Sequence, residues 1–308
     1  MVIDTHVHVL NTKAPAPDYF TQRGWDATVE TLLREMDRAG VDKAFLISYG
    51  AEDIGAEFRA QGQDPRELAQ VYNKEYTVKC WAAHRDRLWW FTDQVDPTDE
   101  EAAEKLDRDL DAGAAGVKLL PVFRGALPNH PGFLPIYDLC QRRQVPIILD
   151  LSFWYLRTYP LYNTPEQEQA RAGTFAGYAA LLGPIFAQFR SVPFQLAHCG
   201  AVNFWEEVGG QTVFRPERVR PVLELVRSHA NVSVDLAAMR PDPEFLKALI
   251  GGLGAQKVAF GSDWPYFARS EAAYRELWSV VKDRRVGLSA AEQEMVLSAN
   301  AQAFVGAG

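Results

Sequence analysis

Short apolar runs alternate with amphipathic stretches along the whole chain. The apolar runs span residues 2–10, 41–48, 88–95, 115–120, 145–151, 193–198, 232–236 and 258–261. Each is rich in apolar residues, as expected of strands in a parallel sheet covered on both faces. The segments between them carry apolar residues at helical spacing. Val29, Leu32, Leu33 and Met36 form one such stripe, and Gly40 marks its end. Helices are expected over 25–39, 64–84, 100–112, 132–143, 165–190 (interrupted near Gly183-Pro184), 216–229, 243–253, 270–282 and 289–304. Eight strands alternating with helices over 308 residues predict one α/β domain, residues 1–308, folded as a (β/α)8 TIM-like barrel. A doubly wound open sheet is the alternative. It calls for a glycine-rich turn after an early strand, and the chain has no G-x-G-x-x-G.

The first apolar run contains residues foreign to a core. His6 and His8 are two apart, so on a strand both imidazoles point to one face. Two neutral imidazoles side by side are half of a divalent-metal site. In a barrel of this kind the chemistry gathers at the C-terminal ends of the strands, and other runs end in matching groups. Asp263 lies in Gly261-Ser262-Asp263-Trp264-Pro265; a carboxylate there can bind a metal and take a proton from its water, or it can merely cap the next helix. His198 suits general acid/base work or donation to a substrate carbonyl, the bland alternative being a buried histidine with a backbone partner.

Lys118, on a buried strand, needs a partner or a function. It can bind a substrate carboxylate, pair with Asp150, or, less readily, bridge metals as a carbamate. Asp150 can be a metal ligand or the counter-ion of Lys118, and the residues leave that choice open. Arg124, Trp154 and Trp264 follow strand ends and are the candidates for substrate contact, with Tyr155, Arg157 and Trp205 behind them; for each, ordinary packing is an equal alternative. The loop 11–24, with Pro15 and Pro17, is a candidate rim. His84 and His229 fall at helix ends, on the surface, and His130 belongs to no motif.

Composition narrows the partners. The net charge of −8 and the lack of a basic stripe argue against nucleic acid as the main partner and decide nothing about a small-molecule substrate. Three widely spaced cysteines, Cys80, Cys140 and Cys199, fit free thiols in a reducing, cytoplasmic setting. No run is long enough for a membrane span, and His6 comes too early for a leader to precede the first strand.

Taken together, Ile3-Asp4-Thr5-His6-Val7-His8, Gly116-Val117-Lys118-Leu119, Leu196-Ala197-His198-Cys199-Gly200 and Phe260-Gly261-Ser262-Asp263-Trp264-Pro265 resemble the amidohydrolase superfamily. The resemblance is to its amidohydrolase-related branch, which includes aminocarboxymuconate-semialdehyde decarboxylase. It implies one divalent cation, usually Zn2+, with His6, His8 and Asp263 as ligands and His198 as the acid/base residue beside it. It also allows a homodimer. The chain departs from the branch in two places. Asp150 stands where a histidine ligand is usual, and Leu120 where a histidine is frequent. The expected activity is metal-dependent hydrolysis, with activated water attacking the carbonyl carbon of an ester, lactone or amide of a small organic acid. The runner-up is metal-dependent, non-oxidative decarboxylation of a carboxylated aromatic or enoic acid. A catalytically inactive barrel serving as a binding protein is the third reading, prompted by Asp150.

Overall fold

The computed structural model describes residues 1–13, 26–48, 50, 69–93, 95–121, 124, 126–151, 175–201, 204–267 and 270–306. The strands are β1 (Ile3–Val7), β2 (Lys43–Ile47), β3 (Leu88–Thr92), β4 (Gly116–Leu119), β5 (Ile147–Leu149), β6 (Phe194–Leu196), β7 (Trp205–Val208), β8 (Gln211–Phe214), β9 (Val232–Asp235) and β10 (Val258–Ala259). Eight of them form one sheet in the order β1-β2-β3-β4-β5-β6-β9-β10, every recorded neighbour pair parallel. The sheet curls until its edges meet. The Thr5 amide donates to Phe260 O at 2.9 Å, the Asp263 amide to His6 O at 2.8 Å and the His8 amide to Trp264 O at 2.8 Å. Each expected strand is present, and the eight-stranded TIM-like barrel is the fold.

Helices follow the strands where the amphipathic stripes placed them. Val29–Ala39 buries Val29, Leu32 and Met36. It stops at Gly40, whose φ of 78° a side chain would resist, while the Val41 amide bonds back to Met36 O at 2.9 Å. The helix expected over 64–84 is seen as Lys74–Ala83, its proposed start at Asp64-Pro65 lying outside the described residues. Phe175–Gln188 runs through Pro184 without the expected interruption. Leu182, Ile185, Phe186 and Phe189 are buried there, and their packing outweighs the lost backbone bond. The hairpin β7–β8 was not foreseen from hydrophobic pattern. Its turn, Gly209-Gly210, has φ of 58° and 80°, the conformation that tight antiparallel turns require.

The barrel interior is plugged at the end remote from the site. Ile3, Phe45, Ile47, Phe91 and Ile148 pack together with Ala301 and Phe304 of the closing helix Asn300–Phe304. The Phe304 ring lies 6.2 Å from Phe45 and 6.3 Å from Phe91. The buried histidines and their carboxylate partners lie toward the other end, where the strands terminate.

Candidate metal centre

Strand alternation alone does not explain how β1 presents its histidines. Thr5 faces the interior, since its hydroxyl accepts a hydrogen bond from the inward-facing Gln195 amide at 3.3 Å. His6, the next residue, also faces inward, with Nε2 2.9 Å from Lys118 Nζ. The register between β1 and β2 slips between Asp4 and Val7, and a bulge-like irregularity of this kind re-aims a side chain. Asp4 pins the slip: Oδ1 accepts the amides of His6 (3.0 Å) and Ser262 (2.9 Å), and Oδ2 accepts the Tyr274 hydroxyl (2.6 Å). The pairing of His6 with His8 was therefore anticipated correctly, but part of its cause is this slip.

His6, His8 and Asp263 converge. Nε2 of His6 lies 3.8 Å and Nε2 of His8 3.4 Å from the same Asp263 oxygen, Oδ1, and all three residues are buried. Each imidazole has an acceptor behind it: Asp235 Oδ2 lies 3.2 Å from His6 Nδ1, and Ile47 O lies 3.1 Å from His8 Nδ1. An Nδ1–H serves those acceptors and leaves the Nε2 lone pair facing the centre. Burial, reinforced by the Lys118 ammonium, pushes His6 well below the usual imidazole range and leaves His8 at about 4, so both are neutral at pH 7. Burial alone would raise Asp263, but the adjacent His8 ring and the His198 charge hold it below the ordinary carboxylate value. Two imidazole lone pairs and one carboxylate within 4.8 Å of one another suit a divalent cation. Lys118 Nζ sits against one of those lone pairs, and an arriving cation would take over that contact.

His198 is sorted differently. It follows β6 in a left-handed turn, with φ of 55° at His198 and 50° at Cys199. Both ring nitrogens face acceptors: Ala237 O at 3.2 Å from Nδ1 and Asp150 Oδ2 at 3.3 Å from Nε2. Burial opposes a charge here, but the Asp150 carboxylate outweighs it and raises His198 to about 9, so the ring is an imidazolium at neutral pH. Asp150 Oδ2 also pairs with Lys118 Nζ at 3.1 Å. The His–Asp groupings with metal-ligand geometry among the described residues are His6 with His8 and Asp263, and His6 with His198 and Asp235; Asp150 belongs to neither.

The other sequence candidates scatter. Trp264 is buried beside β1, where its carbonyl accepts the His8 amide, and the Tyr266 ring stands 5.7 Å from His8. Arg124 is half-buried on the turn after β4. Trp154, Tyr155 and Arg157 lie outside the described residues. Trp205 packs against Phe245, with ring centroids 5.0 Å apart, and donates to Asp242. His84 and His229 are half-buried rather than surface residues; His229 Nδ1 lies 2.9 Å from Leu225 O. Cys80, Cys140 and Cys199 are buried and unbridged.

Two strand-end carboxylates escaped the sequence reading. Asp235 closes β9 and meets both His6 and His198. Asp93 follows β3, accepts the Gly50 amide at 3.2 Å, and is raised by burial to about 7. Both end apolar runs as Asp150 and Asp263 do, and that shared signal could have found them.

A parallel barrel with a His-x-His first strand and a carboxylate after the last strand defines a class of metal-site barrels. The family model described as amidohydrolase matches residues 3–307, and the chain belongs to that family. No curated protein matches it in sequence. Solved structures share the fold at low identity. A probable 2-pyrone-4,6-dicarboxylic acid hydrolase from Acinetobacter baumannii, with citric acid bound, is 17% identical with a TM-score of 0.63, covering 99% of each chain. The 5-carboxyvanillate decarboxylase of Sphingomonas paucimobilis is 16% identical with a TM-score of 0.65, covering 99% of this chain and 98% of that one. A 2,6-dihydroxybenzoate decarboxylase from Rhizobium is 16% identical with a TM-score of 0.61, with the same coverage. Members of the family are hydrolases or decarboxylases acting on small molecules. No helix among the described residues is long and apolar enough to cross a membrane.

Proposed function

We propose that the protein is a metal-dependent hydrolase that directs water onto the carbonyl carbon of an ester, lactone or amide of a small organic acid. The observation that carries this reading is the convergence of His6 Nε2 and His8 Nε2 on one oxygen of Asp263. Those three residues would hold the cation, most simply one Zn2+, which would supply Lewis acidity and lower the pKa of a water towards about 7. Asp263 is ionised beside that position and takes the proton the water gives up. His198, an imidazolium, donates to the oxygen on which negative charge develops. Asp150 keeps His198 charged and balances Lys118; to serve as a fourth ligand it would have to release the Lys118 ammonium. Lys118, Arg124, Trp154 and Trp264 are the residues assigned to hold the substrate, the two cations suiting a carboxylate.

The buried cations Lys118 and His198 support a second reading, non-oxidative decarboxylation. There Lys118 would hold the departing carboxylate and His198 would protonate the carbon left behind. Purified protein prepared without chelator separates the two on panels of lactones, esters and amides and of carboxylated aromatic acids, read as ring opening or acid release against carbon dioxide release. Hydrolysis that tracks added Zn2+ supports the first reading. Carbon dioxide release without hydrolysis overturns it. Metal content near zero, with no turnover in either panel, supports a binding protein instead.

A further inference from the structure

Asp235 is fully buried at the end of β9, and four donors converge on its two oxygens. Oδ2 faces His6 Nδ1 at 3.2 Å and accepts the Gln195 side-chain amide at 3.0 Å. Oδ1 accepts the backbone amides of His198 at 2.7 Å and Ala237 at 3.1 Å. One carboxylate thus joins the first-strand histidine to the turn that carries the imidazolium. We propose that Asp235 is the positioning residue of this centre. By binding the Nδ1 proton of His6 it locks the tautomer whose Nε2 lone pair faces His8 and Asp263, and by gripping the His198 amide it holds the left-handed turn in place. The inference rests on reading the cluster as a metal centre.

A neutral imidazole has one donor nitrogen and one acceptor nitrogen. Lys118 Nζ, which can only donate, stands 2.9 Å from His6 Nε2. The carboxylate of Asp235 can only accept. Both contacts therefore demand Nδ1–H with Nε2 bare, the form that ligates through Nε2. The turn needs support for a different reason. His198, Cys199 and Ala201 all adopt positive φ (55°, 50° and 58°), a region that side chains with a Cβ avoid unless their surroundings hold them there. The hydrogen bond that the His198 amide donates to Asp235 supplies part of that hold, and the Ala237 amide fixes the same carboxylate oxygen.

Asp235→Asn keeps the shape and can keep Oδ1 for the two backbone amides. It places an NH2 group opposite His6 Nδ1 and reverses the donor and acceptor at that contact. The test uses the full chain, metal-free, with 15N-labelled histidine and two-bond 1H–15N correlation near neutral pH, His6 being assigned from the His6→Gln spectrum. The wild type is expected to show His6 protonated at Nδ1. In Asp235→Asn the NH2 group opposes a proton at Nδ1 while Lys118 still opposes one at Nε2, so the single tautomer gives way to a mixture, and Zn2+ and Co2+ affinity, read by competition with a chelating indicator, falls about 10–100-fold. Wild-type His6 protonated at Nε2 overturns the proposal, whether or not Asp235→Asn folds. An unchanged tautomer or unchanged affinity in folded Asp235→Asn overturns it as well. If the tautomer shifts while the wild type binds neither metal, the metal reading fails and the assignment of Asp235 to His6 stands.

Discussion

Asp150→Asn is the perturbation whose outcome follows most directly from the geometry. Asp150 and Lys118 are almost wholly buried, with Nζ 3.1 Å from Oδ2. The same oxygen stands 3.3 Å from His198 Nε2. Removing its charge leaves the ammonium of Lys118 uncompensated in a buried position, which costs about 3–5 kcal/mol for buried pairs. The Asn carbonyl still accepts from Lys118, which places the loss near the lower end. At about 2 °C per kcal/mol for a chain of this length, the melting temperature of the metal-free protein falls by roughly 6–10 °C in scanning calorimetry. A second consequence is local. His198 is raised to about 9 against the opposing effect of burial, and the Asp150 carboxylate is the largest of the effects raising it. In the variant its titration, followed by NMR, moves down toward the ordinary imidazole value of about 6.5. Lys118→Met combined with Asp150→Leu removes both charges at similar volume and is expected to recover most of the lost stability. A single variant that melts with the wild type, or a double variant no better than the single, refutes the ion-pair reasoning. His198 still titrating near 9 in Asp150→Asn refutes the electrostatic part alone.

Other outcomes follow from the same geometry. His6→Ala and Asp263→Ala are each expected to reduce bound metal to background in elemental analysis and to abolish metal-dependent turnover; full retention of either contradicts the ligand assignment. Stability of the metal-free protein is expected to fall between pH 6.5 and pH 9. His198, about 9 when folded against about 6.5 unfolded, stabilises fully below 6.5 and loses that contribution as pH rises through 9, about 3 kcal/mol in all. Asp4 and Asp93, raised by burial to about 7, add the same sign near the start of that window. His8, lowered to about 4, acts only below it. Melts at constant ionic strength that are flat or rising across this range contradict the assignment. Gly132→Ala would put a Cβ 1.7 Å from the Pro97 carbonyl oxygen, so the backbone has to move; a loss of about 1–3 kcal/mol in urea titration is expected.

The barrel itself was legible before any coordinates. Its strands are nearly unbroken apolar runs because both faces of a parallel sheet are covered, and its helices carry their stripes because one face meets that sheet. Gly40 announced a helix end because only glycine takes its left-handed conformation without strain. His6, His8, His198 and Asp263 could be picked out because a polar residue ending an apolar run is costly unless it works. What the pattern could not carry was anything set by contacts between distant segments. The inward turn of His6 depends on a register slip held by Asp4, Ser262 and Tyr274, residues up to 270 positions apart. The neutrality of His6 and the charge of His198 come from what faces each ring: an ammonium and a carboxylate in one case, a carbonyl and a carboxylate in the other. Residue type and spacing determined that imidazoles and carboxylates would gather at one rim. Only the folded arrangement, which decides donors, acceptors and burial for each ring, determined which imidazoles are neutral and which one carries a second proton.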